Sequence, residues 1–352
     1  MVRVAHFIST SGMYGAEQWI LGLLRHVNKK EVDPLLICPI TSNTSLLKEA
    51  EKLNIRTILL RVKGNYSFFD FIKGLSKVLK RENIDILHTH GYKSDIIGYF
   101  AAKQTKTKII STPHGWSFNA GLKLKFYESL NRFFLRFFDL VVPVSGGIGK
   151  SLRHIQKNKI KVINNFVDLN STPHPRKGNF KLVAYIGQLI ERKRVQDLII
   201  SLKYLKDIRL QIIGDGPKKQ NLINLTERLN LQDRIFFLGF RKNRLDLLNN
   251  SEIMILPSLV EGTPRVVMEA MTMEKVVIGT NIPGTRELIK HKETGLLVPI
   301  KNPRKIAEAV NYVLKNKRLT KSMAINAKKL IEKKFSAERA AKEYEDLYNL
   351  LS

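Results

Sequence analysis

The chain has 352 residues, 43% of them hydrophobic and 26% charged, which excludes a disordered or fibrous protein and predicts two globular domains with a cleft between them. Sixty Lys and Arg against 31 Asp and Glu give a formal charge of +29, and the surplus is spread over both halves (26 basic and 12 acidic residues in 1–170, 34 and 19 in 171–352), so it predicts a surface facing a polyanion or an anionic membrane. The lone cysteine, Cys38, excludes an intrachain disulfide framework and a cysteine-based zinc site, and the lack of a signal-peptide pattern or a run of about 20 apolar residues predicts a cytoplasmic chain whose membrane contact is peripheral, at the inner face of the cell membrane.

The first predicted strand, Arg3–Ile8, runs into Ser9-Thr-Ser-Gly12-Met-Tyr-Gly15-Ala-Glu17 and then an amphipathic helix, the arrangement of a loop that approaches phosphate. A dehydrogenase would need a three-glycine fingerprint there and an acidic residue ending the next strand. Neither is present, because the second strand, Pro34–Pro39, leads into Ile40-Thr41. Further strands are predicted at Ile84–His88, Lys108–Ser111, Leu140–Val144 and Lys161–Ile163. The segments His88-Thr-His90-Gly91 and Thr112-Pro-His114-Gly115 follow two of them, which puts three histidines at the cleft edge. Zinc ligation and structural hydrogen bonding are the two readings of His88 and His90, and no cysteine assists the first. Between Leu122 and Phe138, helical spacing puts Phe126, Leu130, Phe133, Phe134 and Phe137 on one face and Lys125, Arg132 and Arg136 on the other. That pattern suits either an interfacial helix on an anionic membrane or a helix packed on its own sheet.

The turn-rich stretch Asp168–Asn179 reads as a linker, dividing the chain into domains 1–171 and 172–336, and the last helix, about 337–352, fits either. The alternation of strand and helix then restarts, with strands at Lys181–Ile186, Leu210–Ile213, Ile235–Leu238, Glu252–Leu256 and Lys275–Gly279. Two α/β domains with parallel sheets follow from this pattern. After the first of these strands comes Gly187-Gln-Leu-Ile-Glu-Arg192-Lys193-Arg194, a glycine followed by a cationic loop, suited to stabilising a departing diphosphate without a metal. After the fourth comes Pro257-Ser-Leu-Val-Glu261-Gly262-Thr263-Pro264-Arg265-Val-Val-Met-Glu269. Thr263 is predicted as the N-cap and Pro264 as the first helical residue, so Glu261 lies in the loop and Glu269 more than a turn down the helix. Helix amides and two carboxylates in such a place suit a sugar nucleotide.

Taken together, Pro257-Ser258, Glu261-Gly262, Glu269-Ala270 and the later Gly284-Thr-Arg-Glu287 resemble the retaining glycosyltransferases of family 4, the glycogen-synthase-like and bacterial polysaccharide enzymes. The resemblance covers nearly the whole chain. It implies the GT-B fold, two Rossmann-like doubly wound parallel-sheet domains facing a cleft, and transfer of a hexosyl or N-acetylhexosaminyl unit from a UDP-sugar. The implied acceptor is lipid-linked or a glycan, and no cofactor or metal is implied. By the same resemblance Glu269 binds the ribose hydroxyls, Glu261 lies near the donor sugar, and the amides of Gly262, Thr263, Pro264 and Arg265 form the stretch that meets the sugar or diphosphate. Lys193 serves the diphosphate, beside Gly187, and His114 lies over the donor sugar. The loop at Gly15 borders donor and acceptor. Three departures stand out: Gln188 where the family has arginine, which gives Arg192 the role of substitute; Tyr14 for a glycine; and Glu274 and Val276 for glycine and proline. The rival readings are a nucleotide-sugar epimerase or hydrolase on the same fold, and a non-catalytic nucleotide-sugar-binding homologue. A nucleic-acid partner is not expected, since no stacking motif, zinc module or recognition helix accompanies the charge.

Overall fold

The computed structural model describes residues 1–9, 15–42, 44–62, 66–115 and 122–352, excepting the side chains of 122–124. It divides into two compact units, Met1–Phe166 with Ala337–Ser352, and Val167–Ser336. The chain therefore changes unit at Phe166/Val167, a few residues before the expected boundary. The predicted linker is part of the second unit: the His174 carbonyl accepts from Asn249 Nδ2 at 2.9 Å, and the Arg176 carbonyl accepts from the buried Lys275 ammonium at 2.6 Å.

In the first unit six strands, β1 (Val2–Ile8), β2 (Val32–Pro39), β3 (Arg56–Leu60), β4 (Ile86–His90), β5 (Lys108–Ser111) and β6 (Leu140–Val141), form one sheet in the order β3-β2-β1-β4-β5-β6. Every pairing in it is parallel. Alternation along a strand sends side chains to opposite faces, and β1 shows it. Val2, Val4 and Ile8 join a core with the helices Gly15–His26 and Ala337–Leu351, whereas Ala5 and Phe7 join a second core with the helices Phe68–Arg81 and Tyr92–Thr105. Both faces of the sheet are covered, as a parallel sheet requires. Lys161–Ile163, predicted as a strand, is not one; only the neighbouring Ile160 bridges to Val141, because β6 ends after two residues.

The second unit repeats the plan. Strands β7 (Asn179–Ile186), β8 (Arg209–Ile213), β9 (Ile235–Gly239), β10 (Ser251–Leu256), β11 (Val276–Thr280) and β12 (Leu296–Val298) pair in the order β12-β11-β10-β7-β8-β9. Counted from its own first strand, this is the same order as in the first unit. The strand order reverses beside β7, whose neighbours are β8 and β10, and a ligand of an open α/β sheet binds outside the carboxyl ends of the strands at such a point. The loops after β7 and β10 therefore define where the site of this unit lies.

Candidate active site

The loop after β7 carries the cationic run, and the loop after β10 carries Glu261. The two loops are tied together: Leu259 N–H donates to the Arg192 carbonyl at 2.8 Å, and Arg192 Nη1 donates to the Val260 carbonyl at 3.2 Å. Lys193 Nζ then reaches Glu261 Oε1 at 2.5 Å, with Arg192 Nη1 3.7 Å from Oε2. Lys193 and Glu261 keep only 12% and 8% of their side-chain surfaces exposed, so the pair is shielded from the screening that makes surface ion pairs worth little. Arg194, the third cation of the run, does something else. It sits in the left-handed region at φ 51° and binds Asp197 at 2.7 Å, which makes it the hinge between the 3-10 turn Glu191–Lys193 and the helix Val195–Ser201.

The helix after Glu261 runs from Arg265 to Thr272, starting one residue later than predicted. Pro264 occupies the cap position, because the Thr263 hydroxyl donates to Glu287 Oε2 at 2.8 Å in place of capping. Glu287 follows the short helix Pro283–Arg286, whose second residue is a glycine pressed against the loop. A Cβ on Gly284 would collide with the Gly262 carbonyl oxygen, whereas a Cβ on Gly262 would meet nothing within 4 Å. Gly284 is thus the residue that lets the loop pass, and Gly262 faces open space. Gly187 is tight for its own reason: a Cβ there would lie 2.7 Å from Tyr185 Oη, whose hydroxyl donates to the Gln188 carbonyl at 2.9 Å.

Glu269 is buried and doubly paired. Arg244 clamps it with Nη1 donating to Oε2 at 2.6 Å and Nη2 to Oε1 at 2.9 Å, and Arg265 Nε donates to Oε1 at 3.0 Å. Burial by itself raises the Glu269 carboxyl, but the Arg244 hydrogen bonds and charge, aided by Arg265, hold it below the usual carboxylate range. The other buried atom of this arginine, Arg265 Nη1, has no partner among the described residues. The unit thus builds two charged triads, Arg192–Glu261–Lys193 and Arg244–Glu269–Arg265. Each has two cations on one carboxylate, and together they leave a net charge of +2 beside the end of the sheet where a ligand is expected.

In the first unit the histidines lie differently from the prediction. The strand predicted to stop at His88 continues, so that His88 and His90 are both inside β4, and their register with β1 sets His6 opposite His88 and Ile8 opposite His90. All three histidines lie on the sheet face covered by the last helix. His6 Nδ1 is 3.2 Å from His90 Nε2; His88 uses one ring nitrogen on Tyr348 and the other on Thr112, each at 2.7 Å; and the Thr112 hydroxyl lies 2.9 Å from that of Tyr344. The possible ligand atoms of His6, His88 and His90 lie within 4.8 Å of one another, yet these bonds already occupy both nitrogens of His88, the pattern of a neutral network. Burial pushes His6 down to about 3 and His114 to about 4, and His88 and His90 fall in the same direction. His114, beyond β5, sets its ring edge to face on Trp19 at 5.1 Å, and its Nε2 is buried without a partner among the described residues. Gly15 begins the first helix, and a Cβ there would meet nothing within 4 Å among the described residues. The preceding residues Gly12 to Tyr14 lie outside the described ones.

Residues 167–330 match the family model "Glycosyl transferases group 1", and residues 13–171 match "Glycosyltransferase Family 4". The chain belongs to the family 4 glycosyltransferases. Among similar proteins, the N-acetyl-alpha-D-glucosaminyl L-malate synthase of Bacillus anthracis is 29% identical over 78% of this chain and 77% of its own length. The UDP-Gal:alpha-D-GlcNAc-diphosphoundecaprenol alpha-1,3-galactosyltransferase of Escherichia coli is 26% identical over 99% of this chain and 96% of its own. The structure of Anabaena Alr3699/HepE in complex with UDP and glucose matches with a TM-score of 0.85 at 18% identity, covering 99% of this chain and all of that one (100%). The fold is therefore GT-B.

Set in this glycosyltransferase, the departures acquire physical content. Gln188 is exposed, while Arg192 lies against Glu261 beside Lys193, on the same carboxylate. Glu274, where the family has glycine, takes the left-handed conformation that glycine favours, φ 55°, just past the end of the Arg265–Thr272 helix. Arg244 is the member of the two triads that sequence reasoning missed. It opens a six-residue helix after β9, a strand away from the two-glutamate segment, and no motif marks it.

Proposed function

We propose that this glycosyltransferase transfers a hexosyl or N-acetylhexosaminyl unit from a UDP-sugar, with retention of configuration, to a membrane-associated lipid-linked or polysaccharide acceptor. The observation that supports the donor half most strongly is the pair of triads at the strand-order reversal of the second unit. A nucleoside diphosphate carries the charge that two uncompensated cations attract, and in this reading Lys193 and Arg192, paired with Glu261 in the free chain, turn to the leaving diphosphate. Glu269 takes the ribose hydroxyls in this reading, Glu261 lies beside the sugar, and the start of the Arg265–Thr272 helix directs Gly262, Thr263 and Pro264 toward the sugar and phosphates. His114 hydrogen-bonds the donor sugar in this reading, and Gly15 borders donor and acceptor. No metal is part of the proposal, since fixed cations supply the positive charge. Catalysis then rests on positioning and on stabilising the diphosphate.

Relatives act on such substrates: the Escherichia coli enzyme carries UDP-Gal and a diphosphoundecaprenol in its name, and the Anabaena protein binds UDP and glucose. Supporting a peripheral place at the inner face of the cell membrane is the helix Leu122–Leu135 and the turn after it. Leu135 and Phe138 are buried and Phe134 packs on Tyr99 and Phe100 at 5.1 and 5.4 Å, whereas Phe126, Phe133 and Phe137 remain exposed, with Arg136 4.4 Å over the Phe133 ring. The aromatic stripe thus splits, half into the core and half outward beside basic residues. No helix among the described residues is long and apolar enough to cross a membrane.

Incubation with UDP-sugars and lipid-linked or glycan acceptors tests the reading, with the product's anomeric configuration read by NMR. Acceptor-dependent transfer with retention is expected, and Lys193→Ala should abolish it. Sugar release or epimerisation independent of acceptor would favour the rival enzymes, and nucleotide binding without any turnover would favour the non-catalytic homologue. Enrichment on anionic over neutral liposomes is the expected result for the membrane part; equal partition would remove it.

A further inference from the structure

The helix Phe68–Arg81 turns two phenylalanines outward. Its start is fixed by a capping box: Ser67 Oγ accepts from the Asp70 N–H at 3.2 Å and Asp70 Oδ2 accepts from the Ser67 N–H at 3.0 Å, which makes Phe68 and Phe69 the first two helical residues. Phe71, Ile72, Leu75, Val78 and Leu79 turn to the core, whereas Phe69 stays 70% exposed and Phe68 39%. Residues three and four apart share a helix face, so Phe69 heads an outward stripe continued by Lys73, Lys77 and Lys80, all exposed.

These rings are not isolated. Phe69 and Phe68 are 5.8 Å apart, Phe68 lies 6.0 Å from Phe100 of the neighbouring helix Tyr92–Thr105, and Phe100 lies 5.4 Å from Phe134. Phe133 then lies 5.7 Å from Phe134 and 5.5 Å from Phe137. One strip of rings thus crosses three helices, exposed at both ends. The charge around it has one sign. In chain order the three helices hold four, two and three Lys or Arg against one acid each, and of the acids Asp70 closes the cap and Asp95 is buried. Outward rings among cations match anionic headgroups over acyl chains, and the same charge set against itself disfavours a second copy.

We propose that the helix Phe68–Arg81 is a second membrane-contacting element, with Phe69 inserting among anionic lipids and Lys73, Lys77 and Lys80 meeting their headgroups. The inference rests on the membrane reading of the helix Leu122–Leu135. It extends that reading from one helix to a face of three helices on one side of the first sheet.

The test is flotation of the full chain on vesicles of phosphatidylcholine alone and with phosphatidylglycerol added. Phe69→Ser should weaken partition onto the anionic vesicles about tenfold, and Lys73→Gln with Lys77→Gln about tenfold or more. Lys48→Gln with Lys342→Gln removes equal charge from exposed positions on helices that cover the opposite face of the same sheet, and should change partition less than about threefold. A local readout completes the test. Cys38 is fully buried and burial pushes its thiol up to about 12, so a cysteine introduced as Phe69→Cys is the one that takes an environment-sensitive dye. The dye should shift to the blue on anionic vesicles, whereas one placed by Leu350→Cys, 81% exposed on the last helix, should not. Flotation without a shift at 69, an equal shift at 350, or equal losses from the two lysine pairs overturns the assignment and leaves the reading of the helix Leu122–Leu135 standing. If the unmodified chain does not float on anionic vesicles, that reading fails and this one with it. A dimer that Phe69→Ser returns to monomer would show a second copy on this face, which also overturns the assignment.

Discussion

Lys275 and Glu269 show what burial demands of a charge. The Lys275 ammonium is satisfied by the Arg176 and Asn249 carbonyls, and burial still lowers its pKa; Glu269 is satisfied by two guanidinium groups and ends below its ordinary range. The buried histidines His6, His88, His90 and His114 take the other course and stay neutral. His6, 1% exposed, is pushed down to about 3 from an ordinary 6.5. The native site resists a proton that the unfolded chain accepts below pH 6.5, so the stability due to this residue is complete above that value. It is lost as pH falls toward 3, at about 1.4 kcal/mol per pH unit. Urea unfolding at pH 7.5 and 5.0 should show that loss, and His6→Gln should lessen the dependence by one histidine's share, since His88, His90 and His114 are lowered too; a slope unchanged by the substitution would contradict it. Glu261, Glu269 and Lys193 were legible in the sequence because helix start, loop and charge fall within short contiguous segments. Arg244 was not, since its role comes from a pairing across 25 residues that only the fold makes.

At the level of elements, strands with continuous apolar runs were readable, whereas two of the four edge strands, β3 and β12, were not. β3 begins exposed at Arg56, and β12 is three residues long, so neither carries the run of apolar residues that marks a buried parallel strand. The predicted strand stopped at His88 because polar residues end an apolar pattern, but here His88 and His90 both continue it: the hydroxyls of Tyr348 and Thr112 meet the two nitrogens of His88, Tyr344 backs Thr112, and His90 Nε2 pairs with His6. The same network ties the Ala337–Leu351 helix to the first sheet and answers which unit that helix joins. The end of the Arg265–Thr272 helix carries a cost of its own. A left-handed residue with a side chain is disfavoured by about 1–2 kcal/mol, and Glu274 recovers part of that from a half-exposed pair with Lys328 at 3.0 Å. Glu274→Gly is expected to raise the thermal midpoint modestly, with donor turnover unchanged; a lower midpoint would show the ion pair to be the larger effect.

Over the whole molecule, two sheets of one strand order carry different chemistry at their order reversals. The first has a neutral, aromatic and histidine-rich lining, and the second two cationic triads. The formal charge of +29 was legible from composition, but its division into charges fixed on carboxylates and charges left for a ligand was not. The donor site proposed for the second unit rests on that division. The most direct test is the thermal midpoint of the full chain against UDP concentration, for the unmodified protein and for Lys193→Ala and Glu269→Ala. A ligand that binds the native state raises stability with the logarithm of its concentration above Kd. The account predicts such a rise for the unmodified chain and its loss in both variants. A midpoint indifferent to UDP, or a rise that persists in both variants, would contradict it.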